Sequence, residues 1–115
     1  MLIRSQDKRM IVNFDNICTV SAFPEKDSED IYVEDGTGSL MVGRYSTKEK
    51  AMKVLDMIQE AYADAALIPM AVPNIGKMFA EAPVSKENEL LAEAIGEVLM
   101  NKMVFQMPED GSVEI

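Results

Sequence analysis

Any chemistry in this chain would have to come from very few residue types. Its 115 residues include no histidine, one cysteine, 20 Asp and Glu, and ten methionines. Without imidazole, Ser-His-Asp triads, Cys-His pairs and histidine-bearing zinc sites are impossible. One thiol cannot form a four-cysteine cage, and Cys18, in "NICTVSAF", reads as a small buried thiol in a strand. Carboxylates remain, since two of them held in a cleft can act as general acid and base. The densest group is Glu25, Asp27, Glu29, Asp30, Glu34 and Asp35. Its oxygens would suit calcium, but the group lacks the alternate spacing and turn glycine of an EF-hand loop, so it reads as a solvated loop. "EDGTGSL" has two glycines but no helix directly after it, as a phosphate-cradling loop requires, and reads as a turn. Met100, Met103 and Met107 carry soft thioethers able to hold copper(I). With no Cys or His beside them, they are expected to fill core, with an adaptable interface as the alternative. No catalytic, cofactor-binding or metal-ligating residue is expected, and no cofactor.

Charge narrows the partners. The net charge is −9, which repels nucleic acid and anionic membrane surfaces, because both are bound by Lys and Arg displacing counterions. Its simplest use is solubility; a sharper use would be mimicry of nucleic acid toward a basic protein. "MLIRSQDKRM" has no apolar signal core. The longest uncharged run, Ala65 to Gly76, is too short to span a bilayer and is interrupted by Pro69 and Pro73. A cytoplasmic protein is expected.

The elements that would position these residues follow from periodicity. Leu2 to Ser5 begins a strand, "QDK" is a polar turn, and Met10, Val12 and Phe14 alternate with Ile11, Asn13 and Asp15 as the return strand. Asp15-Asn16 can bend the chain before a strand over Ile17 to Phe23, which Pro24 ends. After the loop "PEKDSED", Ile31 and Val33 mark another strand, "DGTG" a tight turn, and Leu40 to Tyr45 the antiparallel return. Ser46 and Glu49 have the spacing of a capping box, so a helix is expected from Thr47. Its apolar stripe is Ala51, Val54, Leu55, Ile58, Tyr62 and Ala65. Residues 66–84 lose that period and contain three prolines, which predicts an irregular connection. A second helix starts after Ser85, with Leu90, Leu91, Ala94, Ile95, Val98 and Leu99 as its stripe, and a short strand and turn close the chain.

The expectation is one α+β domain over 1–115. An antiparallel meander of four to five strands (1–45) is covered by one amphipathic helix (47–65), followed by the Pro-broken connection (66–84), a second helix (86–101) and a C-terminal strand and turn (103–115).

Two features invite a partner. The uncharged segment holds Leu67, Ile68, Met70, Val72 and Ile75, which together would make a larger apolar patch than a soluble monomer usually tolerates. Glu89, Glu93 and Glu97, four residues apart, weaken an isolated helix by like-charge repulsion and leave an acidic stripe. These eight residues are the candidate interaction surface.

Through "SQDKRMIVNFDNI", "VGRYSTKEKAMKVLDMI" and "VFQMPED", the chain resembles a group of small uncharacterised proteins of gram-positive bacteria and their phages. The resemblance implies a β-meander followed by a helix, and no activity, cofactor or catalytic residue. Residues 67–101 depart from that pattern. The function expected is a non-enzymatic protein–protein interaction module, of phage or mobile-element association, whose partner is a protein and could be a second copy. The alternatives are an acidic nucleic-acid mimic that inhibits a DNA-binding protein, and a carboxylate-based enzyme or small-ligand binder.

Overall fold

The computed structural model describes residues 1–17, 19–25 and 28–115. Cys18, and Asp27 of the acidic group, lie outside the described residues. The chain forms β1 (Leu2–Arg4), β2 (Ile11–Asn13), a 3-10 turn (Phe14–Asn16), β3 (Thr19–Glu25), β4 (Ser28–Glu34), β5 (Ser39–Tyr45), α1 (Lys48–Glu81), α2 (Lys86–Lys102) and β6 (Val104–Gln106). This is the α+β class expected. Its strands divide into two three-stranded sheets, ordered β2-β1-β6 and β3-β4-β5. The second is the antiparallel meander. In the first, β1 is antiparallel to β2 and parallel to β6.

The division has a local cause at Asp15-Asn16. The Asn13 side chain accepts the Asp15 N–H at 3.1 Å, and the Ile17 N–H donates to the Phe14 carbonyl at 3.1 Å. That tight turn takes the chain off the first ladder before β3 begins. The expected end of a strand at Pro24 does not hold, because β3 runs on to Glu25 with Pro24 opposite Glu29. β3 is an edge strand, where a residue without an N–H costs the ladder little. The "PEKDSED" loop is correspondingly shorter.

Both predicted turns form. Between β1 and β2 the Asp7 carboxylate accepts the Ser5 hydroxyl at 2.6 Å and the Arg9 N–H at 3.0 Å, which holds its pKa below the ordinary 3.8. Lys8 there takes φ 65°, a left-handed conformation uncommon for a residue with a side chain. Between β4 and β5 the left-handed position falls to Gly36, at φ 93°.

Strand alternation places Ile3, Val12, Ile31, Val33 and Val42 in one core, against Ala51, Val54 and Ile58 of α1. Fully burying a large aliphatic side chain contributes about 1.5–3 kcal/mol. A bulge at Val42 re-aims β5, for Ile31 faces Gly43 while Tyr32 faces Met41. The Val42 carbonyl then accepts the Gln6 N–H at 2.8 Å. The Gln6 side chain accepts the Arg44 N–H at 2.8 Å and donates to the Arg44 carbonyl at 3.0 Å, tying the two sheets together. A Cβ at Gly43 would come within 3.0 Å of the Tyr45 ring and 3.1 Å of Met107, so a side chain there would push those groups back by a few tenths of an ångström.

The start of α1 differs from the expected capping box. Thr47 is the N-cap, its hydroxyl accepting the Lys50 N–H at 3.2 Å. Ser46 instead donates its backbone N–H to the Asp110 carboxylate at 2.7 Å, because the C-terminal segment folds back against this corner. Ala51, Val54 and Ile58 are buried as the periodicity predicts, and Tyr62 meets Phe14 edge-on at 5.1 Å.

The largest correction concerns 66–84. No irregular connection lies there: α1 continues through Pro69 and Pro73 to Glu81. Each proline removes one N–H from the ladder, at a cost of about 3 kcal/mol in a helix interior. The carbonyls they free are those of Ala65, half-buried, and Pro69, exposed. The face between them packs on α2, and that contact maintains the helix. Ser85 caps α2 as expected, accepting the Asn88 N–H at 3.1 Å. α2 then runs back along α1, bringing Lys102 to 3.4 Å from Asp64.

Residues 64–102 therefore form a helical hairpin, an arm on a sheet-built head. The molecule measures 60 × 31 × 22 Å with a radius of gyration of 17.6 Å, against about 13 Å for a compact chain of this length.

Candidate functional site

The arm holds all eight candidate interaction residues, but it does not present them as one surface. Leu67, Met70 and Val72 are exposed, as are Glu89, Glu93 and Glu97. Ile68 is buried and Ile75 half-buried. These two isoleucines belong to the seam between the helices and not to the surface.

That seam is readable from burial. On α1 the covered positions are Ala65, Ile68, Ala71, Ile75 and Phe79, in steps of three, three, four and four. On α2 they are Asn88, Ala92, Ile95 and Leu99, in steps of four, three and four, with Gly96 half-buried beside Ile95. This is the spacing of helices that stay in contact along their length. The stripe expected for α2 is thus split: Ile95 and Leu99 face α1, while Leu90, Leu91, Ala94 and Val98 face water. No residue of α2 is buried.

Helix geometry sorts the exposed side chains. Each residue turns by about 100°, and in an antiparallel pair the positions one before the seam lie on the same side of both helices. On α1 these are Asp64, Leu67, Met70, Asn74 and Met78; on α2 they are Glu87, Leu91, Ala94 and Val98. Apart from Asp64 at the base and Glu87 at the tip, this side is uncharged. Leu67, Met70, Met78, Leu91 and Val98 are each between 53% and 72% exposed. The positions one after the seam make the opposite side: Pro69, Val72, Gly76 and Ala80 on α1, with Glu89, Glu93, Gly96 and Met100 on α2. Glu97 points away from α1 altogether. Met78, Leu91 and Val98 are absent from the predicted surface because the sequence does not show which of two overlapping apolar stripes α1 covers.

The methionines divide in the same way. Met107 is in the core, but Met70, Met78, Met100 and Met103 of the arm and its base are more than half exposed, which corrects the expectation that Met100 and Met103 fill core. Flexible, polarisable side chains in such a position suit an adaptable contact surface.

Among the described residues the acidic group around β4 does not converge. Asp30 is fully buried and takes a two-pronged contact from Arg44, Nε to Oδ1 at 2.8 Å and Nη2 to Oδ2 at 3.1 Å. Asp35 serves the β4–β5 turn by accepting the Thr37 N–H at 2.9 Å and hydroxyl at 2.7 Å, and its pKa is lowered by those bonds. Among the described residues no three His, Cys, Asp or Glu side chains converge as metal ligands.

Three clefts indent the described residues. One of about 230 Å³, between the base of the arm and the N-terminus, includes Met1, Asp15, Tyr62, Ile68 and Met103; its carboxylate lies 3.6 Å from the N-terminal amine. A second, of about 210 Å³ between the sheets, contains Asp7 and Arg9. The third, of about 320 Å³, is apolar and lined by Phe14, Val20, Leu55 and Tyr62. None of the three brings two carboxylates together.

The corner below α1 carries the largest perturbations. Tyr45 is fully buried and donates its hydroxyl to the Pro108 carbonyl at 2.8 Å. Burial, with the Asp110 charge nearby, pushes its pKa well above the ordinary 10.0. Asp110 is held below the ordinary 3.8, first by the Ser46 N–H and also by Lys50, 3.5 Å away. These groups fasten the C-terminal segment to the helix start.

No helix of the described residues is long and apolar enough to cross a membrane. No family model matches the chain, and no curated protein and no solved structure matches it either.

Proposed function

We propose that this protein is a non-enzymatic interaction module that docks another protein chain through the uncharged side of its helical arm. One observation carries the reading: α2, 17 residues long, has no buried residue yet carries Leu90, Leu91 and Val98 in the open. Helices in proteins are held chiefly by packing of an apolar face, and domains close by stacking at least two layers over one core. A pair of helices with apolar residues on its outer side lacks that second layer. A contiguous exposed patch of more than a few hundred Å² is the usual mark of a contact site. The partner is a protein with an apolar, helix-compatible surface. The net charge of −9 disfavours nucleic acid, and the single cysteine suits a reducing cytoplasm.

The test is site-specific photo-crosslinking in the native cell. A photoreactive residue at Met70 or Val98 is expected to give protein adducts, whereas one at the exposed Lys53, on the head portion of α1, gives none. Arm positions that yield no adduct would overturn the reading.

A further inference from the structure

We infer that the occupant of the arm's uncharged side is a second copy of this chain, so that two hairpins pair into a four-helix bundle with the heads outside it. The inference rests on the docking role proposed above and names its partner.

Surface area is the first argument. A compact 12.8 kDa chain should expose about 6,300 Å², but this one exposes 7,971 Å². Leu67, Met70, Met78, Leu91 and Val98, each between 53% and 72% exposed, supply the apolar surface of this side, toward the roughly 800 Å² per partner that specific complexes bury. One such contact would remove about half of the excess, which is roughly 1,700 Å².

Charge is the second argument. At −9 apiece, two copies repel across most of their surfaces. From Ala65 to Ala80 the only charge on α1 is Lys77. On α2 the acids Glu89, Glu93 and Glu97 fall on the opposite or outer side, away from Leu91 and Val98. The uncharged side is therefore where like copies can approach without stacking carboxylates, while the acidic side keeps them from pairing the other way round.

Shape is the third. Both helices of the hairpin contribute to the same side, so the patch is a broad, shallow surface with a groove between two rows of side chains. A two-fold contact needs one patch that complements itself. Rows of Leu, Met and Val separated by a groove do so, each row entering the groove of the other copy, and four helices around one core is the geometry of a common bundle.

The experiment is sedimentation of the full chain from low to high micromolar concentration. The expected species has twice the 12.8 kDa chain mass. Met70→Glu combined with Val98→Glu is expected to weaken pairing on the order of a hundredfold or more. Both side chains are more than half exposed, so the head should keep its urea midpoint, measured in parallel to exclude unfolding. Val72→Glu with Met100→Glu, on the other side of the arm, should leave the dimer intact. A wild-type chain that stays monomeric overturns the inference, as does a dimer that only the Val72 and Met100 pair dissolves. If the chain is monomeric and Met70 crosslinks to a different protein, this inference fails while the docking role stands. If Met70 and Val98 crosslink to nothing, both fail.

Discussion

The head and the arm are built from similar apolar residues and use them in opposite ways. In the head, β4 turns Ile31 and Val33 inward and α1 meets them with Ala51, Val54 and Ile58, so that the long side chains disappear from water. In the arm, α1 and α2 cover each other along one narrow seam and leave Met70, Met78 and Val98 outside. The difference is one of layers. A sheet gives a helix a wide surface to lie on, whereas a single helix gives another only a line of contact. Apolar content therefore does not measure completeness; what matters is whether a second layer exists.

Substitutions can sharpen this contrast. The largest loss is expected for Tyr45→Ala, which removes a fully buried ring and its hydrogen bond to Pro108. It should cost about 4 kcal/mol in urea unfolding. Leu67→Ala in the arm, although it also removes an apolar side chain, should change the stability of an isolated monomer by less than about 0.5 kcal/mol. An equal loss at the two sites would erase the distinction between head and arm.

Next is Arg44→Ala. Asp30 is completely buried and Arg44 reaches it from a largely exposed position. Taking the guanidinium away removes a two-pronged contact from a desolvated carboxylate, a loss of up to about 3 kcal/mol. The double change to Asp30→Val with Arg44→Ala should recover part of it.

The two caps give a finer comparison. Thr47→Ala and Ser85→Ala each remove one side-chain acceptor from a helix start, worth about 1 kcal/mol. At Thr47 the loss is expected to lower the global urea midpoint. At Ser85 it should appear as faster amide hydrogen exchange over α2, because the arm can open while the head stays folded. Ser46→Ala should cost less than either cap, about 0.5 kcal/mol, since the backbone N–H stays on Asp110 and only the lesser hydroxyl contact is lost.

The smallest effect depends on pH. The folded pKa of Asp110 lies below its unfolded value. It therefore adds stability above the ordinary carboxylate range and loses that contribution as pH falls through the folded value. With its side chain 39% exposed, the contribution should stay under about 1 kcal/mol. Urea midpoints of wild type and Asp110→Asn should differ at pH 7 and converge as the solution becomes more acidic. A gap that persists in acid would show that the carboxylate charge is not what holds Ser46 and Lys50.

Reading the chain alone goes further in the head than in the arm. Period-two alternation identifies Val12, Ile31 and Val33 as inward, and Ala51, Val54 and Ile58 as the buried helix face, because a half-covered sheet and its helix leave an unambiguous pattern. The division into two sheets is not legible, since β6 reaches β1 only in three dimensions. Pro69 and Pro73 mislead because propensity is a local quantity, while the contact that maintains α1 comes from α2. Of the candidate surface residues, Leu67, Met70 and Val72 are exposed, while Ile68 and Ile75 are covered. Which stripe faces the neighbouring helix is decided by the neighbour.

The parallel pairing of β1 with β6 sets an order of assembly. Ile3 lies opposite Phe105, so during synthesis at about 5–20 residues per second the first strand leaves the ribosome some 5–20 s before its last neighbour exists. The intervening helices shorten that wait in space if not in time: once folded back on each other, they deliver Val104 beside Leu2 and spare the chain the search across a long flexible loop. The hairpin thus acts as a splint during biogenesis, before any partner is met.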